Sequence, residues 1–461
     1  MQSFDLIVIG AGSGLNVSSS AAEMGMKVAV VEKGPMGGTC LNRGCIPSKI
    51  IIHSADVAET IRKSKSFGIN SRINSVDFAK ITSRASNLVD KESGEIEEAI
   101  IEDKNTTLFK EEAKFIGDRT LKVGIKTIKG DKVIIAAGTR PFVPPIEGLS
   151  EVGYITSDEA LRLKKRPKAM TIIGGGYIAA ELAHFYGALG TRINIIQRRN
   201  FLIPEEDEEI SQKFTKIFKK KYKVLTEFNA KKVYKKGGKF IVEAENKKTK
   251  RKLISDALLV AAGRIPNTDI LDVNKTNVEV DDKGFIKTNE YLETTAKNIW
   301  ALGDIVGRYL FKHSANLEAE YVYYNAVLNK KIKIDYAAMP HAIFSSPQIA
   351  GVGLREQDLS EGKMGYAVGR YEFIKSGMGL ALQDDEGFVK IFADRKTRKI
   401  LGCHILGSDA STLIHEVIVA MKAGLEVDSL SKAVHIHPAL SEVVQRAVND
   451  IEWRIKPKSL K

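Results

Sequence analysis

Cysteine and tryptophan are scarce in this chain, with three and two among 461 residues. So few cysteines exclude a small secreted scaffold held together by disulfides, and without a second close pair they exclude a four-thiolate zinc site. Long apolar runs are also missing. No stretch reaches the roughly 18 uninterrupted apolar residues of a membrane span, and the opening MQSFDLIVIGAG has no basic segment ahead of a cleavable apolar one. A cytoplasmic location is therefore expected, with no membrane contact. Acidic residues are outnumbered by basic ones, 57 to 70, for a net charge of +13. The excess is scattered over Lys-rich stretches at 216–222, 231–239 and 247–252 and does not form one basic face, so it reads as solvated surface and not as a nucleic-acid interface.

What is present is an ordinary globular composition, 43% hydrophobic and 28% charged. At 461 residues the chain exceeds a single core, and at roughly 100–200 residues per domain several domains are expected. One pattern occurs twice: strand, Gly-rich turn, helix, strand. The first copy is FDLIVIG (4–10), a turn with Gly10, Gly12 and Gly14, a helix of small residues, and KVAVVE ending in Glu32. Glycines let backbone approach a pyrophosphate, the helix start offers N–H groups, and an acid about 20 residues on accepts ribose hydroxyls. Leu15 stands where a third glycine is usual. The second copy is AMTIIG (169–174), then Gly174, Gly176 and Ala179, a helix to about Leu189, and RINIIQ. Here the strand ends in Gln197, followed by Arg198 and Arg199. That removes the acid that repels a 2′-phosphate and favours NADP(H), although a glutamine can still bond a ribose hydroxyl.

The phrases VIIAAGTRPFVPP (133–145) and ALLVAAGRIPNT (257–268) close the two copies. They set expected boundaries: a first unit over 1–149 that resumes at 268–338, an inserted unit over 150–267, and an α+β unit over 339–461. The last is read from short alternating runs followed by a helix at 410–424.

The chemistry concentrates in GGTCLNRGCIPSK, residues 37–49. Residues five apart in a regular helix have Cα atoms about 8–9 Å apart, beyond the roughly 4.4–6.8 Å of a disulfide. A Cys40–Cys45 bridge therefore needs a distorted turn, which Gly44 permits. A strained, accessible bridge has the higher reduction potential of a disulfide that cycles. Near the other end, HIHPALSEVV (435–444) places His437 five residues before Glu442. Thiol–disulfide exchange needs a base to form the attacking thiolate and an acid for the leaving one, and an imidazole held by a carboxylate serves both ways. His435 has no assigned role.

On these motifs the whole chain resembles the class I pyridine nucleotide–disulfide oxidoreductases. The resemblance implies a fold of two Rossmann-like three-layer domains, for FAD and NAD(P), and a C-terminal α+β dimerisation domain. It implies Cys40 as the interchange thiol, Cys45 as the thiolate against the flavin, and Lys49 paired with Glu181 of GGGYIAAEL near the flavin. FAD would be held by Gly10, Gly12, Gly14, Glu32, Lys33, Gly38, Thr39, Lys49, Gly138, Gly303 and Asp304, the last two in ALGDI (301–305). NAD(P) would meet Gly174, Gly176, Tyr177 as a gate, Ile178, Gln197, Arg198, Arg199 and Gly263. His437 and Glu442 would complete the active site of the other subunit, making a homodimer.

Within the family, a C-terminal thiol pair is absent from RIKPKSLK, which sets aside mercuric reductase and the large thioredoxin reductases. Ser18-Ser19-Ser20 replaces the arginines that glutathione reductase uses. The expected reaction is oxidation of a dihydrolipoyl group, free or protein-bound, by a dihydrolipoyl dehydrogenase. The alternative is NADPH-dependent reduction of a low-molecular-weight disulfide, as in mycothione reductase, supported by FKHSANLEAE (311–320), FSSPQIAGVG (344–353) and the Gln-Arg-Arg strand end. A flavin-binding scaffold and a plain diaphorase with idle cysteines are disfavoured by the intact Cys, Lys, His and Glu set.

Overall fold

The computed structural model describes residues 1–453, so the RIKPKSLK ending lies outside the described residues. The apolar first strand Gln2–Ile9 is the centre of a seven-stranded sheet. Val28–Val31 and then Thr106–Phe109 lie parallel on one side of it, and Lys126–Ile135 lies parallel on the other. Ile299–Ala301, much later in the chain, returns to pair with Lys126–Ile135, so the sheet is sewn from two distant segments. Their inner stretches, Leu6–Ile9, Val28–Val31 and Val133–Ile135, are apolar and buried because both faces are covered there, as in parallel sheets generally. Helix Gly14–Glu23 covers one face. Gly14 makes the close helix–strand contact here: a Cβ on it would lie 2.8 Å from Val8 Cγ1 and 2.9 Å from Ala136 Cβ. Leu15 is half-buried against the neighbouring core, so the expected third glycine is not needed at that position.

The second copy builds its own four-stranded parallel sheet, in the order Lys223–Thr226, Arg192–Gln197, Ala169–Ile173, Ala257–Val260, with helix Tyr177–Ala188 packed on it. Three antiparallel strands between 229 and 255 cover part of this unit. Most of the Lys-rich stretches fall here or at the end of helix Glu208–Lys221. Many of these lysines pair with acids, as in Lys232–Glu147, Lys252–Glu243 and Lys221–Glu59. The two AAG phrases meet: Thr139–Pro141 and Arg264–Pro266 form an antiparallel ribbon joining the units. The third sheet is antiparallel, ordered Pro340–Ile343, Gln348–Gly353, Ile400–Gly407, Phe388–Asp394, Tyr366–Glu372, and helices Ala410–Lys422 and Glu442–Asn449 close its core. Cys403 is buried in that core, and burial pushes its thiol up, so it acts as a small hydrophobe.

Both Gly-rich turns use the same device. Gly10 (φ +103°) and Gly174 (φ +118°) pass over the end of the adjacent strand, where a Cβ would lie 2.3 Å from the Ala136 carbonyl oxygen and 2.1 Å from that of Ala261. Gly174→Ala meets both a left-handed backbone and a backbone clash. It is expected to cost at least about 1–3 kcal/mol in denaturant unfolding and to weaken NAD(P) binding. An unchanged denaturation midpoint would contradict this account of the turn.

Candidate active site

The helix carrying the cysteines is broken where the sequence requires it. Gly38–Arg43 ends at Gly44 (φ −144°, ψ −117°), and Cys45–Lys63 begins immediately after it. A Cβ on Gly44 would lie 2.9 Å from the Thr39 carbonyl oxygen and 3.4 Å from Cys40 Cα, so the turn closes against backbone. Both cysteines are free thiols within hydrogen-bonding contact. The Cys40 thiol donating to its partner lowers Cys45 to about 7, against burial, which acts in the opposite direction, and the Lys49 charge adds to the lowering. The same bond, reinforced by burial, raises Cys40 above the ordinary thiol range, with Lys312 pulling the other way. Cys45 also opens a 19-residue helix, whose N-terminal dipole favours a thiolate.

One turn on, Lys49 Nζ lies 2.8 Å from both carboxylate oxygens of Glu181, which sits on helix Tyr177–Ala188 of the second unit. The Phe344 N–H donates to Glu181 Oε1 at 3.0 Å, and the Phe344 ring lies 4.3 Å from Lys49 Nζ. Glu181 therefore touches all three parts of the chain. Phe344 opens the phrase FSSPQIAGVG, but its role had no sequence signal, because its partner lies 163 residues away. Lys312, in the phrase FKHSANLEAE, is placed the same way: its Nζ bonds Ser13 Oγ at 2.9 Å across 299 residues, beside the first Gly-rich turn.

The first cradle fits a dinucleotide. A Cβ on Gly38 would lie 2.8 Å from Gly12 Cα, so only bare backbone fits there. Glu32 accepts the N–H groups of Ala11 at 2.9 Å and Gly34 at 2.7 Å, bracing the turn. Thr39 is half-buried on the short helix that follows. Lys33 is exposed and pairs with Glu112 at 2.8 Å. Asp304 follows strand Ile299–Ala301 and accepts the Thr139 hydroxyl at 3.0 Å. Burial raises its carboxyl, opposed by Arg264 at 4.0 Å. Gly303 donates its N–H to buried Glu318, which also accepts the Tyr336 hydroxyl, and burial lifts Glu318 to about 7. Glu318 lies in the same phrase as Lys312, FKHSANLEAE, and nothing local in it signals this role.

In the second cradle, Gly174 and Gly176 lead into Tyr177, whose ring stacks on Phe311 with centroids 6.1 Å apart. Ile178 is half-buried against the helix core. Gln197 differs from expectation: it is buried and donates to the Phe201 carbonyl at 3.1 Å, so its amide braces the turn. Arg198 is exposed. Arg199, also exposed, has Nη1 3.5 Å from Glu205. Gly138 and Gly263 precede the two strands of the joining ribbon. Ser18 is turned inward and bonds the Leu15 carbonyl, which leaves Ser19 exposed on that helix.

His437 Nδ1 lies 3.1 and 3.2 Å from the two Glu442 oxygens, and Ala439 N–H donates to the same carboxylate. The bond to His437 holds the Glu442 carboxyl below its usual range. The His437 side chain is 74% exposed. His435, by contrast, is bonded to Glu416 at 3.0 Å.

The family model described as pyridine nucleotide-disulphide oxidoreductase matches residues 4–320, and that family's dimerisation domain matches residues 339–448. Mycothione reductase of Mycobacterium tuberculosis is 34% identical over 460 residues, covering 97% of this chain and 99% of the relative. Dihydrolipoyl dehydrogenase of Bacillus subtilis is 33% identical, covering 96% and 95%. Among solved structures, the Cu(II) complex of the HOCl-induced flavoprotein disulfide reductase RclA from Escherichia coli superposes with a TM-score of 0.87 at 26% identity, covering 97% of this chain and 99% of the other.

The thiol pair titrates asymmetrically. Cys45 is lowered, so its thiolate fills as pH rises through about 7, while raised Cys40 stays protonated over that range. In the reduced protein, iodoacetamide is expected to alkylate Cys45 with a midpoint near that pH. Cys40→Ala removes the donated bond and should move the midpoint up by about one unit or more. A midpoint that stays in place would show that the bond to Cys40 does not set the Cys45 pKa.

Proposed function

The chain belongs to the pyridine nucleotide-disulphide oxidoreductase family, and we propose that it passes electron pairs between NAD(P)(H) and a small dithiol/disulfide through Cys40 and Cys45, with a dihydrolipoyl group as substrate. The observation that carries the reading is the pair of contacting thiols with opposite acidities beside the Lys49–Glu181 ion pair. A substrate thiolate attacks Cys40 Sγ of the oxidised pair, and Cys45 leaves as the thiolate that the Lys49 charge and the start of the long helix favour. The second substrate thiolate then attacks the substrate sulfur of the mixed disulfide and closes the product ring. Cys40 departs and takes a proton from the imidazolium of the partner subunit's His437. Two electrons thus move from the dithiol to the cysteines; one substrate proton ends on Cys40 and the other goes to solvent. Glu442, kept ionised by its bond to His437, holds Nδ1–H and leaves Nε2 for proton transfer. Lys49, fixed by Glu181, keeps a positive charge beside the Cys45 thiolate. Bound FAD supplies the two-electron step to NAD(P)+ that no side chain can perform, and the cradle that would hold it is built by Gly10, Gly12, Gly38, Glu32 and Asp304.

The uncharged strand end at Gln197 and the exposed cation of Arg198 favour a second reading, NADPH-driven reduction of a low-molecular-weight disulfide, the activity after which the mycothione reductase relative is named. The lipoyl reading is supported by the His-x-His-Pro segment at 435–438 and by the absence of arginines at Ser18, Ser19 and Ser20.

His437→Gln is expected to slow turnover of the dithiol by about 10²–10⁴-fold while NAD(P)H oxidation with an artificial acceptor persists. A loss of less than about tenfold would remove His437 from proton transfer. Steady-state assays should pair NAD+ and NADP+ with dihydrolipoamide, and NADH and NADPH with lipoamide and other small disulfides. Fast dihydrolipoamide oxidation supports the first reading. Silence there, with fast NADPH-dependent reduction of another disulfide that falls about tenfold or more in Arg198→Ala, establishes the second.

A further inference from the structure

Between the second nucleotide unit and the C-terminal sheet lies a cluster that the thiol chemistry does not use. In that sheet His341 pairs in register with Gly351, and Gly351 with His404, on three neighbouring strands. Residues in register project to one face, so the two imidazoles share a face with a glycine between them. A Cβ on Gly351 would lie 2.6 Å from His341 Cε1 and 2.7 Å from His404 Nδ1. The absent side chain is the space into which both rings lean. Glu206, just ahead of helix Glu208–Lys221, enters from the other unit. Its Oε1 is 2.7 Å from His341 Nε2, and its Oε2 is 3.9 Å from His404 Nδ1.

His341 Nε2 and Glu206 Oε1 are at ion-pair distance, yet the cluster leaves its polar atoms incompletely satisfied. Both Glu206 oxygens, His341 Nε2 and His404 Nδ1 are buried, and none makes an aligned hydrogen bond, although buried polar atoms are nearly always paired. His404 Nε2 faces the Leu354 carbonyl at 3.1 Å. A carbonyl only accepts, so Nε2 carries the proton, and Nδ1 points a lone pair into the cluster, the outer-shell arrangement of metal-binding histidines. One donor atom from each residue lies within 4.8 Å of the others. Glu206 and His404 side chains are 0% exposed and His341 19%, which leaves one side open for entry.

We propose that Glu206, His341 and His404 bind one divalent transition-metal cation of the zinc or cobalt kind. Two imidazole nitrogens and one carboxylate are the three-ligand set that leaves a fourth position open, and nitrogen donors select against magnesium and calcium. Bonds of about 2.1 Å in tetrahedral array place donors about 3.4 Å apart. The 2.7 Å contact opens and the 3.9 Å contact closes to reach that spacing, each by less than about 1 Å. The cation ties the turn carrying Glu206 to the C-terminal sheet. It also sits behind Tyr177, whose ring stacks on His341 with centroids 6.4 Å apart. The site is thus built to brace the entrance of the second cradle.

The test uses the FAD-loaded full chain, stripped with a chelator and with Cys40 and Cys45 oxidised, so that those thiols cannot compete. Calorimetric titration with Zn(II) is expected to show one ion per chain, and Co(II) to give a difference spectrum of nitrogen and oxygen ligands without thiolate bands. Glu206→Gln and His341→Gln should each weaken Zn(II) by more than about tenfold, and Cys40→Ser/Cys45→Ser should leave it unchanged. The thermal midpoint of the unaltered chain should rise with Zn(II), a readout that stands even if a variant fails to fold. No stoichiometric ion, a flat midpoint, or binding that ignores both substitutions would mean that the cluster is a Glu206–His341 ion pair only. None of these readouts depends on turnover, so they stand or fall apart from the disulfide chemistry.

Discussion

Two cysteines five residues apart react with each other only if the helix that would hold them apart is interrupted, and the rest of this active site follows from how Gly44 does so. The break leaves Cys40 inside the short helix Gly38–Arg43 and makes Cys45 the opening residue of a long one. Their acidities separate because Cys45 receives the bond donated by Cys40 and has the Lys49 charge beside it at the start of that long helix, whereas the same bond and burial raise Cys40. A symmetrical pair would leave the choice of attacked and leaving sulfur undetermined. Here the Lys49 charge and the start of the long helix favour Cys45 as the leaving sulfur, and a side chain at position 44 would press on the Thr39 carbonyl that closes the turn.

The long helix then carries the consequence to the rest of the molecule. One turn after Cys45 it presents Lys49 to Glu181, a carboxylate belonging to the helix that opens the second cradle. The pair is only partly buried, so its Coulombic worth is modest. Its value lies in position: Phe344 N–H bonds the same carboxylate from the third sheet. The two cradles and the C-terminal unit are therefore referenced to one residue, whose charge is felt by the thiol that has to stay ionised. Precise placement of charge near a reacting sulfur comes at little cost when the charges also locate the domains.

Much of this was legible because local chemistry was repeated. The doubled Gly-rich turn gave both sheets and their helices, and the structure adds that Gly10 and Gly174 are held against equivalent carbonyls. The Cys motif and Gly44 were readable because disulfide geometry is incompatible with a straight helix. What escaped were contacts between residues with no common local pattern. Gln197 reads as a ribose ligand from its place at a strand end, yet its amide is taken by Phe201 four residues on. Lys312, Phe344 and Glu318 become part of the site only when segments 15 to 299 residues apart are folded together. His341 and His404 are unremarkable in sequence, and only strand register brings them to either side of Gly351.

The acid–base pair poses a different problem, since its local geometry is complete and its surroundings are not. His437 is tied to Glu442 within one segment, so orientation and charge are settled inside the chain. Yet Val434 and Ile436, on the same segment, are 100% and 78% exposed. Apolar side chains are not displayed in this way beside a residue that needs a dry, ordered environment to move protons selectively. The missing walls have to come from another surface, and the dimerisation domain matched over 339–448 contains this segment. In the dimer proposed above, a second copy that covers Val434 and Ile436 would also deliver His437 towards Cys40 of the other subunit. Association and catalysis would then share one set of contacts, and a change that loosens the interface would be felt first as a loss of proton transfer.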